Sequence, residues 1–254
     1  MDMPVNHLKR ALREGRTQVG CWLSLVSHVS AEICAGAGFD WVLIDTEHAP
    51  TDLQDVHRQL HAAAAYPTAT LVRAYWNDTV LIKRLLDLGA QSLLLPYVQN
   101  AEEARRAVAA VRYPPQGVRG VSTNTRASRF GRVQDYLKCS NDEICLLLQV
   151  ETRAALAQIE AMAAIDGVDA IFIGPQDLAA DFGHLGNPGH PEVQAAMADA
   201  IARIKKTGKA PGILSFVEAD AKRWIGLGAQ FVAVTSDQAL LARESAAVAA
   251  KFKN

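Results

Sequence analysis

Four short stretches of this chain place acids, a base and a cation directly after apolar runs. Asp45 and His48 follow Trp41-Val-Leu-Ile, and Arg73 closes a run that begins at Thr70. Gln149 and Glu151 flank Val150, and Gln176 and Asp177 come after a Gly-Pro turn that ends the run Ala170–Ile173. Two carboxylates with neutral oxygen donors nearby suit a hard divalent cation, octahedral and partly hydrated. Only one histidine is close enough in sequence to compete as a ligand, which argues against a structural zinc site. His48 beside Asp45 suits a base whose tautomer is set by an acid. Arg73 is suited to stabilising an oxyanion that develops on a substrate. These parts describe metal-assisted enolate chemistry: a keto group is polarised, a proton moves, and a carbon–carbon bond breaks. Each residue also has a plainer reading. Glu151 and Asp177 could cap helices, Arg73 could pair at the surface, and His48 could be an ordinary turn residue.

The chemistry needs elements that bring these stretches together. Trp41–Asp45 is a run buried on both faces, as in a parallel sheet, and Leu53, Val56 and Leu60 then recur at helical spacing. The same alternation continues along the chain. Expected strands are 18–25, 41–45, 70–73, 92–96, 144–150, 170–173, 211–214 and 231–234. Expected helices are 7–14, 30–37, 52–64, 78–88, 101–111, 153–163, 177–181, 192–206, 218–226 and one from Asp237 onward. About eight strand–helix units in 254 residues, with no second compositional block, predict a single-domain (β/α)8 TIM barrel. The open doubly wound sheet is the runner-up. In a barrel the ends of the strands converge on one mouth. The stretch Tyr113–Phe130 breaks the rhythm with Pro114, Pro115, Gly117 and Gly120, and carries Arg119, Arg126 and Arg129 just after Arg112. Its length predicts a functional loop rather than a linker.

Composition removes several classes of function. The formal net charge is -1, half the residues are hydrophobic and 21% are charged, so neither nucleic acid nor an anionic membrane is expected as a partner. No apolar run approaches the length of a membrane span, and no Walker loop or dinucleotide glycine fingerprint occurs. Cys21, Cys34, Cys139 and Cys145 lack metal or redox spacing and read as reduced, in keeping with a cytoplasmic protein. The lysines lie in helices or loops (Lys83, Lys205, Lys222) or before a strand (Lys209), so no Schiff-base lysine stands at the mouth. No organic cofactor is expected.

Several separated stretches resemble, in the same order, the class II pyruvate aldolases of the HpcH/HpaI type. They are GFDWVLIDTEHAP (38–50), VRAYWND (72–78), LLLQVET (146–152) and IFIGPQDL (171–178), together with RYPPQGVRGV and GNPGHPEVQAA. The similarity runs from about Gly15 to the C-terminus. It implies a metal-bearing barrel assembled as a homohexamer, with the last helix exchanged between subunits. It further implies Mg2+, Mn2+ or Co2+ held by Glu151 and Asp177, which sets Glu47 aside as a ligand. The 2-oxo acid would contact Gln149 and Asp177, and the backbone N–H of Gln176 would bind its carboxylate. Arg73 would stabilise the pyruvate enolate, and His48 would take the proton of the 4-hydroxyl group. The family pattern credits Asp87 with raising the basicity of His48, whereas local sequence points to Asp45; both stay open. Trp22, Leu214 and Arg126 are further candidate pocket residues. Thr46 and Gln176 depart from the glycine and alanine common at those places, which leaves the chemistry intact and bears on substrate preference.

The implied reaction is reversible cleavage of 4-hydroxy-2-oxoheptane-1,7-dioate to pyruvate and succinate semialdehyde. Alternatives are a sibling aldolase for sugar acids (2-keto-3-deoxy-L-rhamnonate or 5-keto-4-deoxy-glucarate), a CoA-ester lyase of the citramalyl or malyl type, and a ligand-binding barrel without catalysis.

Overall fold

The computed structural model describes residues 1–253. Its strands are β1 (Gln18–Leu23), β2 (Trp41–Asp45), β3 (Ala69–Arg73), β4 (Ser92–Leu95), β5 (Cys145–Val150), β6 (Ala170–Ile173), β7 (Ala210–Leu214) and β8 (Phe231–Ser236). They pair in sequence order, all parallel, and β8 returns to β1 to close the barrel. The helices are α1 (His7–Arg13), α2 (His28–Ala35), α3 (Leu53–Ala63), α4 (Thr79–Asp87), α5 (Ala101–Val111), α6 (Tyr136–Cys139), α7 (Arg153–Leu156), α8 (Ile159–Ala163), α9 (Pro175–Asp181), α10 (Pro191–Lys206), α11 (Glu218–Leu227) and α12 (Asp237–Ala250). No helix among the described residues is long and apolar enough to cross a membrane.

Several boundaries follow from local chemistry. Asp52 caps α3 in a reciprocal capping box with Asp55, and Asp78 caps α4 through the Leu81 N–H. Ser27, not Ser30, caps α2, because the Ser27 hydroxyl accepts from the Ser30 N–H. The helix expected over 153–163 is two short ones, α7 and α8, broken at Ala157 and Gln158.

Two apolar layers hold the barrel. Outside, the outward-facing residues of the strands (Val42, Ile44, Leu146, Leu148) pack against the helices. Inside, Trp22, Trp41, Phe172 and Phe231 fill the lumen, with Leu8 and Leu12 of α1 in the same cluster. Trp41 stacks on Phe231 at 3.9 Å between centroids, and Trp22 lies 5.7 Å from Phe172. Glycines make room for this filling: a Cβ on Gly20 would collide with the Trp41 indole, and one on Gly212 with Phe172. Gly20→Ala is therefore expected to cost about 2–3 kcal/mol through overpacking, read as a lower urea midpoint. An unchanged midpoint would show that the indole can move aside.

The long loop after α5 does not reach the mouth of its own barrel. Val118 and Arg119 donate to the carbonyls of Ala109 and Arg112, and Ala127 N–H donates to Asp87 O. Arg126 donates to Leu88 O and Leu60 O and lines a cavity with Thr70 and Ser92, at the strands' N-terminal ends. Arg126, expected at the pocket, lies instead at this other cavity and does not line the one that holds Arg73. Helices return antiparallel to the strands, so a loop that docks on the end of α4 is carried to the far side.

Candidate active site

At the C-terminal ends of the strands a cavity of about 260 Å3 opens. Its wall includes Asp45, His48, Arg73, Gln149, Gln176 and Asp177, and its apolar side includes Trp22 and Leu214. A larger cavity, about 530 Å3, lies between α3 and α4 near Tyr75 and Val80, but size is a weaker guide than convergent chemistry.

The β2–β3 register sets Asp45 directly beside Arg73. Arg73 Nε donates to Asp45 Oδ1 at 2.8 Å and Nη2 to Oδ2 at 2.7 Å, a bidentate pair that fixes the guanidinium plane. Asp45 is 2% and Arg73 7% exposed, so neither charge is satisfied by water. The third nitrogen, Nη1, lies 2.8 Å from Glu47 Oε2. That contact is an ion pair off the hydrogen-bond direction, since the same oxygen has no hydrogen-bond donor. The Trp22 ring lies 5.1 Å from the guanidinium carbon. Thr46 contributes by donating its hydroxyl to Arg73 O at 2.7 Å, which ties the β2 loop to β3.

Neither acid named for His48 from sequence contacts its imidazole. Asp45 is committed to Arg73 and meets His48 only through a long backbone contact of 3.5 Å from its N–H. Asp87, at the end of α4, binds the fully buried Arg119 at 3.0 Å instead, on the side of the barrel away from the mouth. The carboxylate beside the His48 imidazole is Glu47, 4.0 Å from Nε2. The imidazole is otherwise open, with 67% of its side chain exposed.

The buried acids form a second group. Glu151, 1% exposed, accepts from Tyr97 N at 2.9 Å and from Gln149 Nε2 at 2.6 Å. Tyr97 pays for this with a left-handed backbone, φ +55°. Gly174 is required beside it, because a Cβ there would collide with Glu151 Oε2. Burial pushes the Glu151 carboxyl up to about 7, helped by the charges of Asp177 and Glu47 and opposed by Gln149. Glu47 is also pushed up to about 7, because burial outweighs Arg73 and both Asp45 and Asp177 repel its charge. Gln149 Oε1 is buried with no donor. Buried acids whose mutual repulsion is only partly offset, beside an orphan amide oxygen, fit a hard divalent cation. Glu47, set aside from sequence, belongs to this group; Ser236, Gln238 and Phe216 also reach the cavity, and no motif in the sequence marked them.

A sequence model of the HpcH/HpaI aldolase/citrate lyase family matches residues 18–243. The chain is 60% identical over 252 residues to a pyruvate aldolase of Rhizobium etli, covering 99% of both chains. It is 58% identical over 248 residues to a 4-hydroxy-2-oxo-heptane-1,7-dioate aldolase of Salmonella paratyphi A, covering 97% of this chain and 94% of the relative. Among solved structures, an HpcH/HpaI aldolase/citrate lyase family protein from Burkholderia cenocepacia superposes with a TM-score of 0.95 at 39% identity. That match covers 98% of this chain and all of the other. An HpcH/HpaI aldolase from Desulfitobacterium hafniense gives 0.90 at 31% identity, covering 97% of this chain and 96% of that one. With this barrel, this mouth and matches along nearly its whole length, the chain belongs to the HpcH/HpaI aldolase/citrate lyase family.

Proposed function

We propose that this protein is a divalent-metal-dependent class II pyruvate aldolase that reversibly cleaves 4-hydroxy-2-oxoheptane-1,7-dioate to pyruvate and succinate semialdehyde. The single observation that carries the reading is Arg73, locked by Asp45 and Glu47, in the same cavity wall as Gln149 and Asp177. The relative from Salmonella paratyphi A, by its name, acts on this substrate. The family implies a divalent metal. Glu151 and Asp177 would hold Mg2+, Mn2+ or Co2+, and such an ion polarises a 2-oxo group.

The chain's own residues then divide the work. Gln149 and the Gln176 N–H orient the 2-oxo acid; Gly174 brings no capping side chain to α9, which leaves that backbone donor for a carboxylate. His48 takes the proton of the 4-hydroxyl group through water, the C3–C4 bond breaks, and its electron pair moves into the C2 carbonyl. The aldehyde leaves, and the pyruvate enolate, its oxygen facing Arg73, is protonated at C3 through water by the proton that His48 took. We further propose a cytoplasmic homohexamer with α12 exchanged between subunits; the exposed Leu241 and Val248 on α12 and Phe252 beyond it support a helix that packs elsewhere.

Pyruvate release coupled to lactate dehydrogenase, with and without EDTA, tests the reaction. Turnover indifferent to chelation would sink the metal mechanism. His48→Ala is expected to lower kcat by about 10²-fold, as for loss of a positioned base, with the KM for substrate changed little. A His48→Ala enzyme of full activity would remove His48 from the chemistry.

A further inference from the structure

Outside the mouth, one group of side chains has the composition and placement of a second metal site. We propose that His184, His190 and Glu192 bind a late first-row divalent cation of the Zn2+ class, at a position independent of the oxygen-donor set around Glu151. Among the described residues these three alone form a group in which one ligand atom from each lies within 4.8 Å of the others. His184 Nε2 hydrogen-bonds Glu192 Oε2 at 2.9 Å, a contact whose shared proton a cation would displace. The two imidazoles face each other with centroids 3.4 Å apart and planes 18° from parallel.

The backbone holds both histidines in place before any ion arrives. His184 N–H donates to Ala179 O at 2.7 Å, Asn187 N–H to His184 O at 2.9 Å, and His190 N–H to Asn187 O at 3.1 Å. Gln194 closes the loop by donating its side-chain amide to Pro188 O at 2.8 Å. Glu192, which is exposed, and one imidazole turn to make the donors converge, because the stacked rings hold their lone pairs nearly parallel; His190 keeps Nδ1 on the Glu192 N–H and offers Nε2. Two imidazoles and one carboxylate select zinc, nickel, copper or cobalt over magnesium, which prefers oxygen donors and retains its water. His190 caps α10, where the helix dipole disfavours a cation, and Glu192 supplies the compensating charge. The loop so braced borders the mouth: Pro188 and Gly189 share a cavity of about 230 Å3 with Pro175 and Gln176.

The test is a Zn2+ titration against a chromophoric chelator, on protein carrying Glu151→Gln and Asp177→Asn so that the mouth cannot compete. One Zn2+ per subunit is expected in that background, weakened about tenfold or more by His184→Ala or His190→Ala. No Zn2+ binding, or binding that survives both histidine changes, overturns the site. Loss on His61→Ala instead would place the ion on the His57–His61 helical pair, whose rings are 4.2 Å apart, and would equally overturn it. Should the double background fail to fold, Co2+ spectra of the otherwise unaltered protein under saturating Mg2+ serve. Imidazole-bound cobalt bands must then vanish in His190→Ala; bands that persist refute the proposal.

Discussion

Replacing Arg73 by alanine lowers kcat by about 10²–10³-fold, the cost of removing one oxyanion donor from a preorganised site. Stability falls too, by roughly 3–5 kcal/mol, because Asp45 is left as a buried charge without its partner. The two effects separate with Arg73→Lys. Lysine restores a charge but cannot make the bidentate contact that sets the guanidinium plane. Stability should then recover more than kcat does. Steady-state kinetics and urea unfolding of the three proteins measure this, and an Arg73→Ala enzyme with unimpaired kcat would end the oxyanion assignment.

Glu151→Gln gives the second large effect, and its sign depends on whether metal is bound. In the metal-free protein burial lifts this carboxyl from about 4.5 to about 7. The folded state thus holds the proton more tightly than the unfolded chain does. The stability that comes with that proton is complete below pH 4.5 or so and is lost as pH rises through about 7. Glutamine has no such loss, so at pH 8 the metal-free variant should be the more stable protein, by at most about 3 kcal/mol. With metal the order reverses. The parent is expected to gain stability from the ion and to turn over, and the variant to do neither. Because the ion requires the ionised acid, metal affinity in the parent should fall as pH drops below about 7, with protons released on binding. Urea midpoints at pH 6 and pH 8, with and without Mn2+, read all four cases; parent-like metal affinity in Glu151→Gln would remove this residue from the ligand set.

The frame was legible because buried parallel strands announce themselves. Trp41–Asp45 has no polar residue before its last position, and Ser92–Leu95 is almost wholly apolar. Strand β8 was the harder one. Its last two residues, Thr235 and Ser236, are polar, Ser236 lines the mouth, and apolar patterning stops short of them at Val234. In the site, the residue types pointed to enolate chemistry, but the pairings between them were not readable. Asp45 meets Arg73 across 28 positions only because β2 and β3 lie in one particular register. Local spacing joined Asp45 to His48 instead. Asp87 and Arg126 sit where the antiparallel return of α4 takes them, which no motif records. The resemblance sets Glu47 aside in favour of Glu151 and Asp177, and its burial beside Arg73 and the charge of Asp177 has no sequence signature.

Among the described residues Trp22, Trp41, Phe172 and Phe231 fill the barrel beneath the acids, so substrate and products are expected to share the one mouth, which imposes an order on traffic. On the proposed chemistry the pyruvate half of the substrate lies inward, by the buried Gln149 and Glu151. The aldehyde half lies outward, toward the exposed His48, Phe216 and Gln238. The aldehyde must depart first and pyruvate last, and in the synthetic direction pyruvate must enter first. Product-inhibition patterns carry that signature: pyruvate competes with the cleavage substrate, and the aldehyde inhibits without competing.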